Sequence, residues 1–191
     1  MRKFLVGLLL GIVLVPLGIY LYLCSGFAPV ATWAPPMPLE RFLATTAMDA
    51  TIDGQEHPIH LASPTPASLV AGAQIYRSDC AVCHGLPSQA PTAAARGMYP
   101  RPPQFFRPNA GKIDDPAREV YWKVKNGIRL TGMPAWRSSL SDTQIRDLTG
   151  FLGDASALPS AAMSVLRSPS AKTKPQGQSP TRRLNPMHKP A

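Results

Sequence analysis

The chain has 191 residues, 22 of them proline, and a formal charge of +9. That length excludes two full domains, and the 14 prolines outside residues 67–154 argue against a single compact unit. Residues 67–154 carry 11 Lys/Arg against 7 Asp/Glu, and residues 155–191 carry 6 Lys/Arg and no acid, so most of the excess charge sits in the C-terminal tail. Three cysteines, an odd number, exclude a simple disulfide framework.

The first element in chain order is an uncharged run from Phe4 to Leu23. As an α-helix it would rise about 30 Å, the thickness of a bilayer's hydrocarbon core. Arg2 and Lys3 precede it, which predicts a cytoplasmic N-terminus, and Tyr20 and Tyr22 lie where interfacial aromatics are expected. A cleaved signal peptide has a shorter apolar region and a small-residue site after it. A lipoprotein at Cys24 would want a small residue before it, where Leu23 stands. Residues 1–24 are therefore read as a transmembrane signal anchor, and everything after it as exported.

Residues 25–66 form a proline-rich tether, favouring semi-rigid extended conformations. Within it, Leu39 to Ala50 is expected to form a short helix with Leu39, Phe42, Leu43 and Thr46 on one face, packed on the main domain. Residues 67–154 are the globular part, with three readable helices. The first runs from about Pro66 to Cys80 with Leu69, Gly72, Ala73 and Tyr76 at helical spacing. The second starts near Asp115-Pro116, a cap followed by proline at the first helical position, and stops at Asn126-Gly127; it carries Trp122, read as core. The third opens on the capping-box pattern Ser141-Asp142-Thr143-Gln144 and places Ile145, Leu148, Phe151 and Leu152 on one stripe. The class is all-α. Residues 155–191 read as a basic, Pro/Ser-rich disordered tail, passive or attracted to anionic lipid or an acidic partner.

Three short helices make a thin core for such a domain. The proline-rich stretch from Gly85 to Asp114 is long for an unsupported loop and sensible if wrapped around a cofactor. Cys80-Ala81-Val82-Cys83-His84 supplies the reason: Cys-x-x-Cys-His reads as c-type haem attachment. Two thiols must meet the two vinyl groups on one porphyrin edge, and the next residue must place an imidazole under the iron. A thioredoxin-like pair lacks its βαβ setting, and a zinc site lacks a second Cys/His pair at usable spacing. His84 is the expected proximal ligand, with its second ring nitrogen bonded to a carbonyl in the Pro100–Pro103 region.

The sixth ligand separates an electron carrier from a catalyst. Of seven methionines, Met133 and Met98 fall in the globular part. Met133 lies 49 residues after His84 in Thr131-Gly132-Met133-Pro134, enough chain to cross a haem, between two residues that restrict the backbone. It is the expected ligand; Met98 and His60 are the lesser alternatives. Tyr99 and Arg101 are candidates for a haem propionate, and Trp136 for packing in the haem cavity.

Together these residues resemble class I mono-haem c-type cytochromes over about residues 67–154. The likeness includes Gly72 and Tyr76, the Cys80–His84 site, the Gly132-Met133-Pro134 loop, and a final helix with Leu148 and Phe151. The stretch Asn126 to Trp136 and the run Met98 to Pro103 resemble a bacterial subgroup found alone, as membrane-anchored cytochromes, or as modules of dehydrogenase and oxidase complexes. The resemblance implies a small cytochrome c fold around one covalent haem c, first and last helices crossing closely at Gly72, and one haem edge exposed for electron exchange.

The expected function is one-electron transfer by a His/Met-ligated haem in a respiratory or dehydrogenase-linked chain, as a carrier and not an enzyme. The rivals are a haem peroxidase or small-molecule reductase with an open distal site, and a cytochrome subunit of a larger oxidoreductase complex. Expected partners are the membrane, through one N-terminal span, and redox proteins (a dehydrogenase, an oxidase or another cytochrome); no nucleic acid is expected.

Overall fold

A computed structural model of the chain describes residues 1–55, 62–107, 115–155 and 157–168. Among these residues there are eight α-helices and no strand: α1 (Arg2–Cys24), α2 (Glu40–Gly54), α3 (Pro66–Ile75), α4 (Ala81–His84), α5 (Ala93–Gly97), α6 (Ala117–Asn126), α7 (Asp142–Gly153) and α8 (Ser160–Arg167). A π turn, Tyr76–Cys80, joins α3 to α4. His57, His60, Met187, His188 and the tail beyond residue 168 lie outside the described residues.

Helix α1 has 23 residues and tolerates Pro16 inside it. It is long and apolar enough to cross a membrane, and none of its residues is buried by the described residues.

The core is built where α3 crosses α7. Thr65 caps α3 in a box with Ser68, and Pro66 occupies the first turn, where its missing N–H costs nothing. Ser141 and Gln144 make the same box at the start of α7. The stripe Leu69, Ala73 and Tyr76 then meets Ile145, Leu148, Phe151 and Leu152, all buried. Gly72 is the crossing point. A Cβ there would stand 2.5 Å from the carbonyl oxygen of Asp147 and 2.5 Å from Phe151 Cβ, so only glycine permits this approach.

Helix α6 packs on α7 through Val120, Tyr121 and Val124. Pro116 is its N-cap residue and not, as expected, its first helical residue; the difference is one position at a helix end. Gly127 ends it at φ 68°. Trp122, expected in the core, is only partly buried; its indole N–H donates to Gln55 Oε1 at 2.7 Å, because it falls off the Val120–Val124 stripe.

Two further expectations are corrected. The stretch from 155 onward is not disordered throughout: α8 buries Ala162 and Leu166 against α3. Its apolar positions fall on one face, and Arg77 ties down its end by donating to the carbonyls of Leu166 at 3.0 Å and Ser168 at 2.6 Å. The helix expected at Leu39–Ala50 spans Glu40–Gly54, and Leu39, Phe42 and Leu43 face solvent instead of the core. The tether is held at the other end of α2, where Ile52 is buried and Asp53 pairs with Arg118 at 2.7 Å.

Candidate functional site

Helix α3 does not stop at Ile75. It widens through the π turn and runs straight into α4, which carries Cys83 and His84. π turns cluster at functional sites because they shift the side-chain register by one residue. Here the shift keeps Tyr76 in the core while Cys80, Cys83 and His84 border a cavity of about 280 Å³. Tyr76 O–H donates to the Gly85 carbonyl at 2.6 Å and pins the turn after the histidine. Gly85 is at φ 82°, a left-handed conformation that suits glycine.

Burial pushes the Cys80 thiol up to about 12, reinforced by Asp79 and Cys83. A thiol held neutral in this way is a poor exchange nucleophile, which disfavours the dithiol redox reading. Burial also lowers the His84 imidazole, partly offset by its hydrogen bond to the Pro103 carbonyl. That bond is 2.9 Å long from Nδ1. A carbonyl only accepts, so Nδ1 carries the proton and Nε2 keeps a lone pair for a metal. The Phe105 ring lies parallel to the imidazole, 4.7 Å away and 3° from coplanar, and fixes its plane.

The Pro103 carbonyl is itself held. Gln104 Nε2 donates to the Cys83 carbonyl at 2.7 Å and to the Pro102 carbonyl at 3.1 Å, bridging the two chain segments of the site. Phe105 N–H donates to the His84 carbonyl at 3.3 Å.

The facing wall is the loop after α6. Trp136 and Arg137 N–H groups donate to the carbonyls of Val124 and Lys125, satisfying the open end of that helix. The N–H of Ile128 donates to the Met133 carbonyl at 3.1 Å, and Thr131 Oγ1 receives the Met133 N–H at 3.1 Å. A Cβ on Gly127 would stand 2.7–2.8 Å from backbone atoms of Met133, Pro134 and Ala135, so the loop folds tightly over this glycine. Met133 borders both the main cavity and an adjoining one of about 130 Å³ that reaches Tyr76 and Leu148 in the core.

Of the residues singled out from the sequence, Cys80, Cys83, His84, Met133, Arg101 and Trp136 all border the main cavity. Arg101 is exposed. Tyr99 is half-buried next to the cavity-bordering Met98 and Pro100 but is not itself on the wall. Met98, the lesser ligand candidate, also borders the cavity, its sulfur against Gly132. Gln104 and Phe105 were missed. Their roles depend on a chain reversal after Gly85 that no local pattern announces.

The donor set fits a haem. Two thiols and a metal-competent imidazole share one wall of an apolar, slot-bordering cavity, with thioether sulfurs from Met98 and Met133 around it. Cys80 and Cys83 would hold the macrocycle edge and His84 the iron.

Residues 67–152 match the family model described as cytochrome c oxidase, cbb3-type, subunit III. No curated protein and no solved structure gives a significant match to the chain.

Proposed function

We propose that this chain, whose residues 67–152 match a cytochrome c family model, is a single-electron carrier held at a membrane by α1, its haem ligated by His84 and Met133. The bound haem supplies one reversible electron through its ferric and ferrous states. The protein's own residues do the rest. Cys80 and Cys83 fix the group covalently. His84 presents Nε2 while Pro103, Phe105 and Gln104 hold its proton and its plane. The Thr131–Trp136 loop offers a thioether from a backbone tied at both sides. Little has to move when charge changes, which suits transfer over bond-making catalysis.

The observation that carries this reading is Met133 on the cavity shared with His84, on a loop clamped to the end of α6. Arg101 and Trp136 are proposed as haem contacts at the rim and on the wall, and Tyr99 through its neighbours. In this reading residues 1–24 anchor the chain in a bacterial inner membrane with the N-terminus cytoplasmic, residues 25–66 link it to the periplasmic haem domain at 67–154, and the donor and acceptor are redox proteins of a respiratory or dehydrogenase-linked chain.

The test is the optical spectrum of the reduced protein with and without carbon monoxide. A closed, six-coordinate carrier shows no change at neutral pH. Ready carbon monoxide binding points instead to an open distal site and to the enzyme alternative.

The family description favours one second reading, a cytochrome subunit of a larger oxidoreductase complex. Co-purification of detergent-solubilised chain with stoichiometric subunits supports it; a free monomer in native extracts counts against it.

A further inference from the structure

The segment between the span and the haem domain carries an apolar surface with no partner among the described residues. Phe27 is 82% exposed, Trp33 88%, Phe42 63% and Leu43 60%, with Val30 and Leu39 open as well. These residues begin three positions after the end of α1. Between Gly26 and Ala44 the only charges are Glu40 and Arg41, which cancel. Helix α2 changes character along its length. Its first turns are apolar and exposed, whereas its last turn is fastened to the haem domain by buried Ile52, by Asp53 with Arg118 at 2.7 Å, and by Gln55 with the Trp122 indole at 2.7 Å.

We infer that residues 27–43 lie in the headgroup region of the membrane, and that α2 is a strut joining that interface to the haem domain. This rests on reading α1 as a membrane span. The argument is one of tethering and chemistry. A span that ends at Cys24 delivers Phe27 and Trp33 to the bilayer surface, where aromatic side chains settle with one side apolar and one side wet. Exposed apolar area of this kind in water is costly, and a membrane surface within reach of a short linker covers it. The zero net charge makes the attraction apolar, so neutral lipid suffices. From Leu43 to Ile52 α2 rises about 14 Å, so the strut separates the haem domain from the interface by a fixed step instead of a loose leash.

The test uses the full-length holoprotein in nanodiscs of phosphatidylcholine containing a small fraction of diazirine-acyl phosphatidylcholine. After irradiation, lipid adducts are mapped by mass spectrometry. Adducts on both α1 and residues 27–43, with none on 46–55, are the expected result. Adducts confined to α1 overturn the inference and leave the span standing; a protein neighbour covering the face would give this outcome. Adducts on neither segment remove the span reading as well. A Phe42→Gln/Leu43→Gln variant, which leaves Ile52 and Asp53 untouched, is expected to lose adducts at 39–43 severalfold while those on α1 persist. Unchanged adducts at 39–43 in that variant would show that its apolar side chains do not seat the segment.

Discussion

The Nδ1–H of His84 donates to the carbonyl of Pro103 at 2.9 Å, across 19 residues of chain. One bond thus sets the tautomer, the ring orientation and the basicity of the residue that would hold the iron. The bond is short-range chemistry resting on long-range folding, because Pro103 is brought to His84 by a chain reversal that Gln104 ties to the Cys83 and Pro102 carbonyls and the Phe105 N–H ties to the His84 carbonyl.

Gln104 is therefore a positioning residue. Gln104→Leu keeps the volume roughly and deletes both donated bonds, leaving part-buried carbonyls short of a partner. The expected cost is about 1–3 kcal/mol in denaturant unfolding. A loosened His84–Pro103 bond also makes the imidazole a weaker donor to the iron, which raises the midpoint potential. Potentiometric titration reads this directly. A destabilised protein with an unchanged potential would make Gln104 structural only.

The two thioethers on the cavity wall separate by mutation. Met133→Ala is expected to open the sixth position, admit carbon monoxide, and lower the potential by a fraction of the roughly 0.8 V range that axial ligands command. Met98→Leu, whose side chain packs on Gly132, is expected to leave the ferric spectrum intact. The opposite pattern in the two variants would assign the iron to Met98.

Gly72 sits 2.5 Å, measured from a Cβ it lacks, from Phe151 Cβ and the Asp147 carbonyl. In an isolated helix Gly72→Ala would stabilise by about 1 kcal/mol. Here the extra methyl must push α3 off α7, and overpacking of this kind costs about 1–3 kcal/mol. The net expectation is a lower unfolding midpoint for Gly72→Ala. A more stable variant would mean that the crossing has slack.

Much of this was readable before any coordinates. The capping box at Ser141 and Gln144, the stop at Gly127 and the buried stripes on α3 and α7 are local patterns, and local patterns survive into the fold. The Cys80–His84 spacing is local too, which is why it reads so directly. What failed was tertiary. The one-face spacing of Ala162 and Leu166 is a local pattern, but so short a run does not say that it docks until Arg77 and the α3 surface are there to receive it. Likewise the apolar face of α2 reads as a core face, and only the structure shows that Ile52, at the opposite end, is the residue that packs.

Asp142 gives the clearest pH signature. It opens α7 and accepts from three groups: the Tyr121 hydroxyl, Lys125 Nζ at 3.0 Å, and Arg146 Nε at 2.8 Å. These bonds, Tyr121 first, then Lys125 and Arg146, hold its carboxyl well below the usual carboxylate range. They also tie α6 to the N-terminus of α7, where a negative charge suits the helix dipole. A carboxyl depressed in the folded state stabilises the fold above its ordinary value near 4, and that contribution drains away as pH falls toward the depressed value. Asp142 is about half exposed, at 48%, so solvent screening trims the expected loss in Asp142→Asn to about 0.5–1.5 kcal/mol at neutral pH. Denaturant unfolding of the two proteins should show a constant gap above about pH 5 that narrows on the acid side of about 4. A gap that stays constant down to the acid limit would show that the charge of Asp142 is not what links the two helices.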